Sequence, residues 1–106
     1  MLELDVNTFE TEVLQASGKL LVDFYGAGCA PCEELMPHVH ALEETYGGSL
    51  KFCAFNTNQS RRLALSQKIM GLPAVVIYEN GVAIERCMKG NATPENIEEM
   101  IKRHIG

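Results

Sequence analysis

The sequence predicts an α/β fold, a central mixed β-sheet flanked by helices on both faces in the order βαβαβαββα. Three observations carry this. Apolar strand-like runs alternate with segments of helical period, the pattern of βαβ crossovers that place helices on the sheet faces. The run Leu20-Leu21-Val22-Asp23-Phe24-Tyr25 is almost continuously apolar, as expected for a strand covered on both sides. Asn80-Gly81 separates two further apolar runs and is a strong hairpin signal, so the sheet also gains an antiparallel pair.

The elements follow in order. Leu2, Leu4 and Val6 alternate with Glu3 and Asp5 and predict a short strand. Asn7 or Thr8 offers an N-cap, and Phe9, Val13 and Ala16 share one face of a predicted helix that Ser17-Gly18 stops. Lys19 to Tyr25 is the second strand, and Gly26, Ala27 and Gly28 allow a tight turn after it. From Ala30 a helix fits, with Pro31 in its first turn and Glu33 and Glu34 at the positive end of its dipole. Leu35, Val39, Leu42 and Tyr46 recur at helical spacing, Pro37 predicts a kink, and Gly47-Gly48 ends the helix. Leu50 to Asn56 is a third strand. Ser60 caps a predicted helix reaching Ile69, and Gly71-Leu72-Pro73 breaks the chain. Ala74 to Tyr78 and Val82 to Met88 form the hairpin. Thr93 caps and Pro94 starts a last helix, with Ile97, Met100, Ile101 and Ile105 on one face.

The 106 residues, 46% hydrophobic and 22% charged, suit a single domain over 1–106 with an ordinary core. A formal net charge of −5 argues against nucleic acid or an anionic membrane surface as the main partner. The start, Met1-Leu2-Glu3-Leu4-Asp5, has neither the basic nor the apolar part of a signal peptide, and no apolar run is long enough for a bilayer span. The expected location is the cytoplasm. There, four cysteines read as free, metal-bound or catalytic thiols rather than structural bridges.

The chemistry concentrates in Gly28-Cys29-Ala30-Pro31-Cys32, at a strand-to-helix junction. Two thiols two residues apart can close a small disulfide ring and open it again. A structural disulfide, or half of a zinc site, is the competing reading. Zinc would need two more ligands, and the nearest histidines are His38 and His40, with His38 directed away from Cys32 on a regular helix. No metal site is expected. Asp23 is a charged side chain inside an apolar strand, which is rare unless the group is paired or functional. Cys53 and Cys87 lie on predicted strands and are expected to be small buried hydrophobes.

Together these pieces resemble thioredoxin along nearly the whole chain. The matching residues are Val22-Asp23-Phe24, Cys29-Ala30-Pro31-Cys32, Pro37, Gly71-Leu72-Pro73, the Asn80-Gly81 hairpin and Gly90. A lone C-x-x-C would say little. Between strand and helix, with a Gly-hydrophobic-Pro about forty residues later, it is the signature already associated with thioredoxin-like redox proteins. The sequence also departs from the family pattern. Gly28 stands where a Trp usually precedes the first Cys, Ala30 where a Gly follows it, Tyr25 in place of an earlier Trp, and Ala54 in place of a strand Lys beside the buried Asp. This variant motif resembles that of thioredoxins from strict anaerobes, which implies service to amino-acid reductases and peroxidases.

The resemblance implies the thioredoxin fold and a thiol–disulfide oxidoreductase that reduces protein disulfides through a Cys29–Cys32 pair. Cys29, at a helix N-terminus where free N–H groups stabilise a thiolate, is the expected nucleophile. Cys32 is the expected resolving thiol and Asp23 its general base, acting through water. Without a Lys at position 54, Asp23 is expected to have a more strongly raised pKa than in relatives that carry the Lys. Pro73 is expected to be cis, leaving the Leu72 backbone free to pair with an extended client. Gly28, Ala30, Pro31, Gly71, Leu72, Pro73, Gly90 and Asn91 form the expected client groove. No bound cofactor is implied, and electrons come from a separate, flavin-dependent thioredoxin reductase. The expected state is a monomer. An oxidant, isomerase or glutathione-linked carrier, and a binding module with incidental thiols, are the competing functions.

Overall fold

A computed structural model describes all residues 1–106. Its five strands are β1 (Leu2–Leu4), β2 (Lys19–Tyr25), β3 (Lys51–Asn56), β4 (Ala74–Glu79) and β5 (Val82–Met88). They form one sheet in the order β1-β3-β2-β4-β5. β3 runs parallel to β1 and β2, while β4 is antiparallel to both β2 and β5. β2 is thus central, and residues 20 to 24 of it are buried.

Side-chain alternation divides the core into two halves. Leu20, Val22 and Phe24 join Phe9, Val13, Phe55, Ala64 and Tyr78 on one face. Leu21 joins Leu35, Val39, Phe52, Ile97 and Ile101 on the other. The second face is covered by α1 (Ala30–Tyr46) and α3 (Pro94–Ile105). The first is covered by α2 (Arg61–Ser66) and the segment around Phe9 and Val13.

The caps follow the sequence. Ser60 and Thr93 each accept a hydrogen bond from the N–H three residues on, at 3.0 and 3.1 Å. At the hairpin tip Asn80 and Gly81 both have positive φ, 50° and 82°, as a primed two-residue turn requires. α1 continues through Pro37, which has no N–H to offer the Glu33 carbonyl.

Three expectations need correction. The strand expected over residues 2–6 ends at Leu4, because the Asp5 carboxylate accepts the N–H groups of Asn7 and Thr8 at 2.7 and 3.0 Å. Asp5 therefore turns the chain, and Val6 is exposed. The helix expected from Asn7 or Thr8 to Ala16 is only a π-helical turn over Glu10–Leu14, closed by Gln15 N–H donating to the Glu10 carbonyl at 2.8 Å. The helix expected to reach Ile69 stops at Ser66. Lys68 adopts φ 61°, which ends the helix, although Ile69 is still buried.

Candidate functional site

β2 delivers the chain into the loop Gly26–Gly28, and α1 begins at Ala30. Cys29 is the N-cap of α1, in extended conformation, and its Sγ accepts the Cys32 N–H at 3.2 Å. The two sulfurs are bonded across a Cα–Cα separation of 5.3 Å. Cys29 is half-buried, while Cys32 is only 3% exposed. Cys29 is thus the more exposed residue of the pair, and Cys32 is the more sheltered, one turn into the helix.

Gly28 has φ +76°, a conformation that L-residues with a side chain rarely adopt, and the space around it is empty. Its glycine is thus a backbone requirement as well as the absence of an aromatic ring. The loop is held by Asn58, whose Oδ1 accepts the Ala27 N–H at 2.7 Å. Gly26 is buried, and a Cβ there would press on Leu72 Cδ1 at 3.0 Å.

Asp23 is 1% exposed, and neither carboxylate oxygen has a hydrogen-bond partner. By strand alternation it shares the α1 face with Leu21. Its neighbour in register on β3 is Ala54 and on β4 Val75, so neither strand supplies a cation. Glu3 lies across Ala54 on β1 and accepts the Tyr25 hydroxyl at 2.6 Å. Burial pushes the Asp23 pKa up to about 7, and the Glu3 charge adds to the rise. Burial and Glu3 likewise push Tyr25 up to about 12.

The Leu72–Pro73 peptide is cis. Pro31, Leu72, Pro73 and Gly90 line one hollow of about 620 Å³ beside the start of α1, with Glu34 and Lys89 at its edge. Gly71, Gly90 and Asn91 line an adjoining hollow of about 450 Å³. Gly28, on the loop, and Ala30, the first residue of α1, are exposed and line neither. Three contributors were not anticipated from sequence. Asn58 and Glu3 act from elements distant in the chain. Lys89, at φ 55°, lays its stem over Gly71, where a Cβ would fall 1.9 Å from Cε. Only the close approach in space reveals that glycine's purpose.

Cys53 and Cys87 are buried free thiols. No group of three or more His, Cys, Asp or Glu side chains is gathered as a metal cluster. No helix is long and apolar enough to cross a membrane.

A reversible dithiol at the head of a helix, on a mixed sheet with a cis-proline loop beside it, defines a protein of thiol–disulfide exchange. The Thioredoxin family model matches residues 1–103. The chain is 48% identical to a thioredoxin of Acetoanaerobium sticklandii over 99% of its length and 100% of that protein. It is 47% identical to a thioredoxin of Peptoclostridium acidaminophilum over 100% of its length and 96% of that protein. A chain solved in work on the thiol-resolving mechanism of yeast mitochondrial 1-Cys peroxiredoxin via glutathione/thioredoxin systems superposes with a TM-score of 0.84. At 24% identity, covering 97% and 94% of the two chains, that likeness speaks for the fold alone. The chain belongs to the thioredoxin family. It is a thiol–disulfide oxidoreductase, a protein-disulfide reductase with Cys29–Cys32 as its redox pair. Thioredoxins hold no cofactor of their own, are reduced by a thioredoxin reductase and act on proteins with reducible disulfides.

Proposed function

We propose that Cys29 is the nucleophile, Cys32 the resolving thiol and Asp23 the base that serves Cys32. The observation that carries this is the asymmetry of the pair: Cys29 is half-open and receives the Cys32 N–H, while Cys32 is buried above the face that holds Asp23. In the reduced protein the Cys29 thiolate attacks one sulfur of a client disulfide. The client S–S bond breaks, a mixed disulfide forms and the other client sulfur leaves as a thiolate. Asp23 accepts the Cys32 proton through water. Cys32 then attacks Cys29 Sγ, the mixed disulfide breaks, and the client departs with both sulfurs reduced. The short spacing makes this second attack intramolecular. A carboxyl with a pKa of about 7 is matched to taking and returning a proton near neutrality.

The client lies as an extended segment across Leu72 and Pro73, between Pro31 and Gly90, with Gly28, Ala30, Gly71 and Asn91 at its margins. Gly28 leaves the approach to Cys29 open and gives clients less apolar contact than a Trp would. The whole chain acts as one monomeric domain in the cytoplasm. A flavin-dependent reductase supplies its electrons. Its clients include peroxidases or amino-acid reductases, in keeping with relatives from anaerobic clostridia.

Turnover of a generic protein disulfide, with dithiothreitol as donor, tests these roles. Wild type turns over, Cys29→Ser gives none, and Cys32→Ser accumulates a mixed disulfide through Cys29. Trapping through Cys32 in the Cys29→Ser variant would reverse the assignment. Full biological activity of Cys29→Ser would favour a binding module.

A further inference from the structure

Four of the nine Lys and Arg side chains are in ion pairs: Lys19 with Glu79, Lys51 with Glu12, Lys102 with Glu99 and Arg103 with Glu85. The remaining five, Arg61, Arg62, Lys68, Arg86 and Lys89, have none. They lie in stretches poor in acid, since no Asp or Glu occurs between Glu44 and Glu79, or between Glu85 and Glu95. The fold then gathers them. Arg61 lines a hollow of about 630 Å³ with Leu65, Ile69, Met70 and Leu72. Arg86 and Lys89 line the neighbouring hollow, which shares Met70 and Gly71 with the first. Arg62 follows Arg61 at the exposed start of α2, and Lys68 is exposed two residues before Met70.

Neither hollow is lined by a carboxylate. The centre of the region is apolar and open to water, with Met70 76% and Leu65 52% exposed. The buried Nε of Arg86 has no acceptor. This is a positive rim around an apolar centre on a chain whose net charge is −5. An acidic partner is repelled by the rest of the surface and attracted here, which fixes its orientation. Methionine, unbranched and polarisable, suits an apolar seat for varied partners. No aromatic side chain lines either hollow, so neither offers the stacking platform that single-stranded nucleic acid uses.

We propose that the hollow between Arg61, Leu65 and Met70 is a docking site for an acidic segment of the disulfide-bearing partner, one that carries an apolar side chain among its carboxylates. It rests on the reading above that the partner crosses Leu72, because Leu72 borders both this hollow and the one beside the cysteines. The site therefore selects partners by what flanks their disulfide, and leaves the exchange chemistry to Cys29 and Cys32.

Two synthetic peptides test it, each with the same disulfide loop, one flanked by Leu among Asp and Glu and the other by Leu among Gln and Ser. Pre-reduced protein is mixed with each, and acid-quenched samples are resolved by chromatography. At low ionic strength the acidic peptide is reduced about five- to tenfold faster, the scale of a few partly exposed charge pairs. The preference disappears at ~0.5 M salt. Arg61→Gln/Arg62→Gln abolishes the preference, bringing the acidic peptide's rate down to that of the neutral one. Equal rates at low salt, or a preference that survives the double variant, overturn the proposal. Binding is read separately from exchange with a disulfide-free acidic peptide added to the oxidised protein. A shift of the Met70 methyl resonance supports docking even if neither peptide is reduced, a result that would sink the exchange reading instead. No shift overturns docking. Displacement of that peptide by a charge-matched oligonucleotide at equal concentration would show that the surface reads charge alone, and also overturns it.

Discussion

At the scale of single residues, Asp23 is the group whose surroundings dictate its behaviour most completely. It is buried, lacks a hydrogen-bond partner, and faces Ala54 where a cation would neutralise it. Its pKa rises from 3.8 to about 7, by burial first and Glu3 second. An acid with a folded pKa above its unfolded one binds its proton more tightly when folded. Its contribution is therefore fully present below pH 4 and is lost as pH rises through about 7. At about 1.4 kcal/mol per pH unit, ionised Asp23 costs on the order of 4 kcal/mol at pH 8. Asp23→Asn is accordingly expected to stabilise the protein at pH 8 by about 2–4 kcal/mol, and by less than about 1 kcal/mol at pH 4. Urea unfolding of both forms across this range checks it, and a pH-independent difference would refute the buried-acid account. The same variant is expected to slow the Cys32 step while leaving the first attack by Cys29 unchanged, which rapid-quench trapping of the mixed disulfide measures.

At the scale of elements, what the sequence revealed depended on how local the cause was. The junction at Cys29, the caps at Ser60 and Thr93, and the Asn80-Gly81 turn each arise from neighbouring residues, and each was legible. The segment after β1 was not, because the period of Phe9, Val13 and Ala16 records which side chains reach the core and not whether a helix joins them. One π-helical turn places Phe9 and Val13 equally well. The holding of the active loop by Asn58 was also hidden, since the bond to Ala27 spans 31 residues. The tight turn that Gly28 allows was legible too, and its φ of +76° shows that the turn draws on the conformational freedom of glycine. Phe9 should carry much of the short segment's attachment. It is 1% exposed and its ring meets those of Phe24, Phe55 and Tyr78 at 5.9, 5.5 and 6.4 Å between centroids. Phe9→Ala is expected to cost about 3–5 kcal/mol, as large truncations in close-packed cores do. Exposed Glu10→Ala in the same segment should stay within about 0.5 kcal/mol. Chemical denaturation of the two variants separates packing from helical propensity as the reason the segment stays in place.

At the scale of the whole molecule, the sheet partitions the four cysteines into one functional pair and two isolated thiols. Cys53 packs with Val22 and Phe55 on one face, and Cys87 with Val75 and Met100 on the other. Cys87 Sγ lies 3.8 Å from Met100 Sδ. Closing a bridge between Cys53 and Cys87 would need a passage through the hydrogen-bonded strands β2 and β4, which lie between β3 and β5. Burial also pushes both thiols upward in pKa, away from the reactive thiolate form. The oxidised native protein should therefore show no thiol that reacts rapidly with an alkylating reagent near neutral pH. The reduced native protein should show one, at Cys29, with Cys32 far slower because it is only 3% exposed. Unfolding should expose two thiols in the oxidised form and four in the reduced form. Peptide mapping after timed alkylation checks both the numbers and the positions. Rapid labelling of Cys53 or Cys87 in the folded protein would mean that one face of the sheet opens without global unfolding. The redox pair would then no longer be insulated from the other two cysteines, and overoxidation could scramble all four.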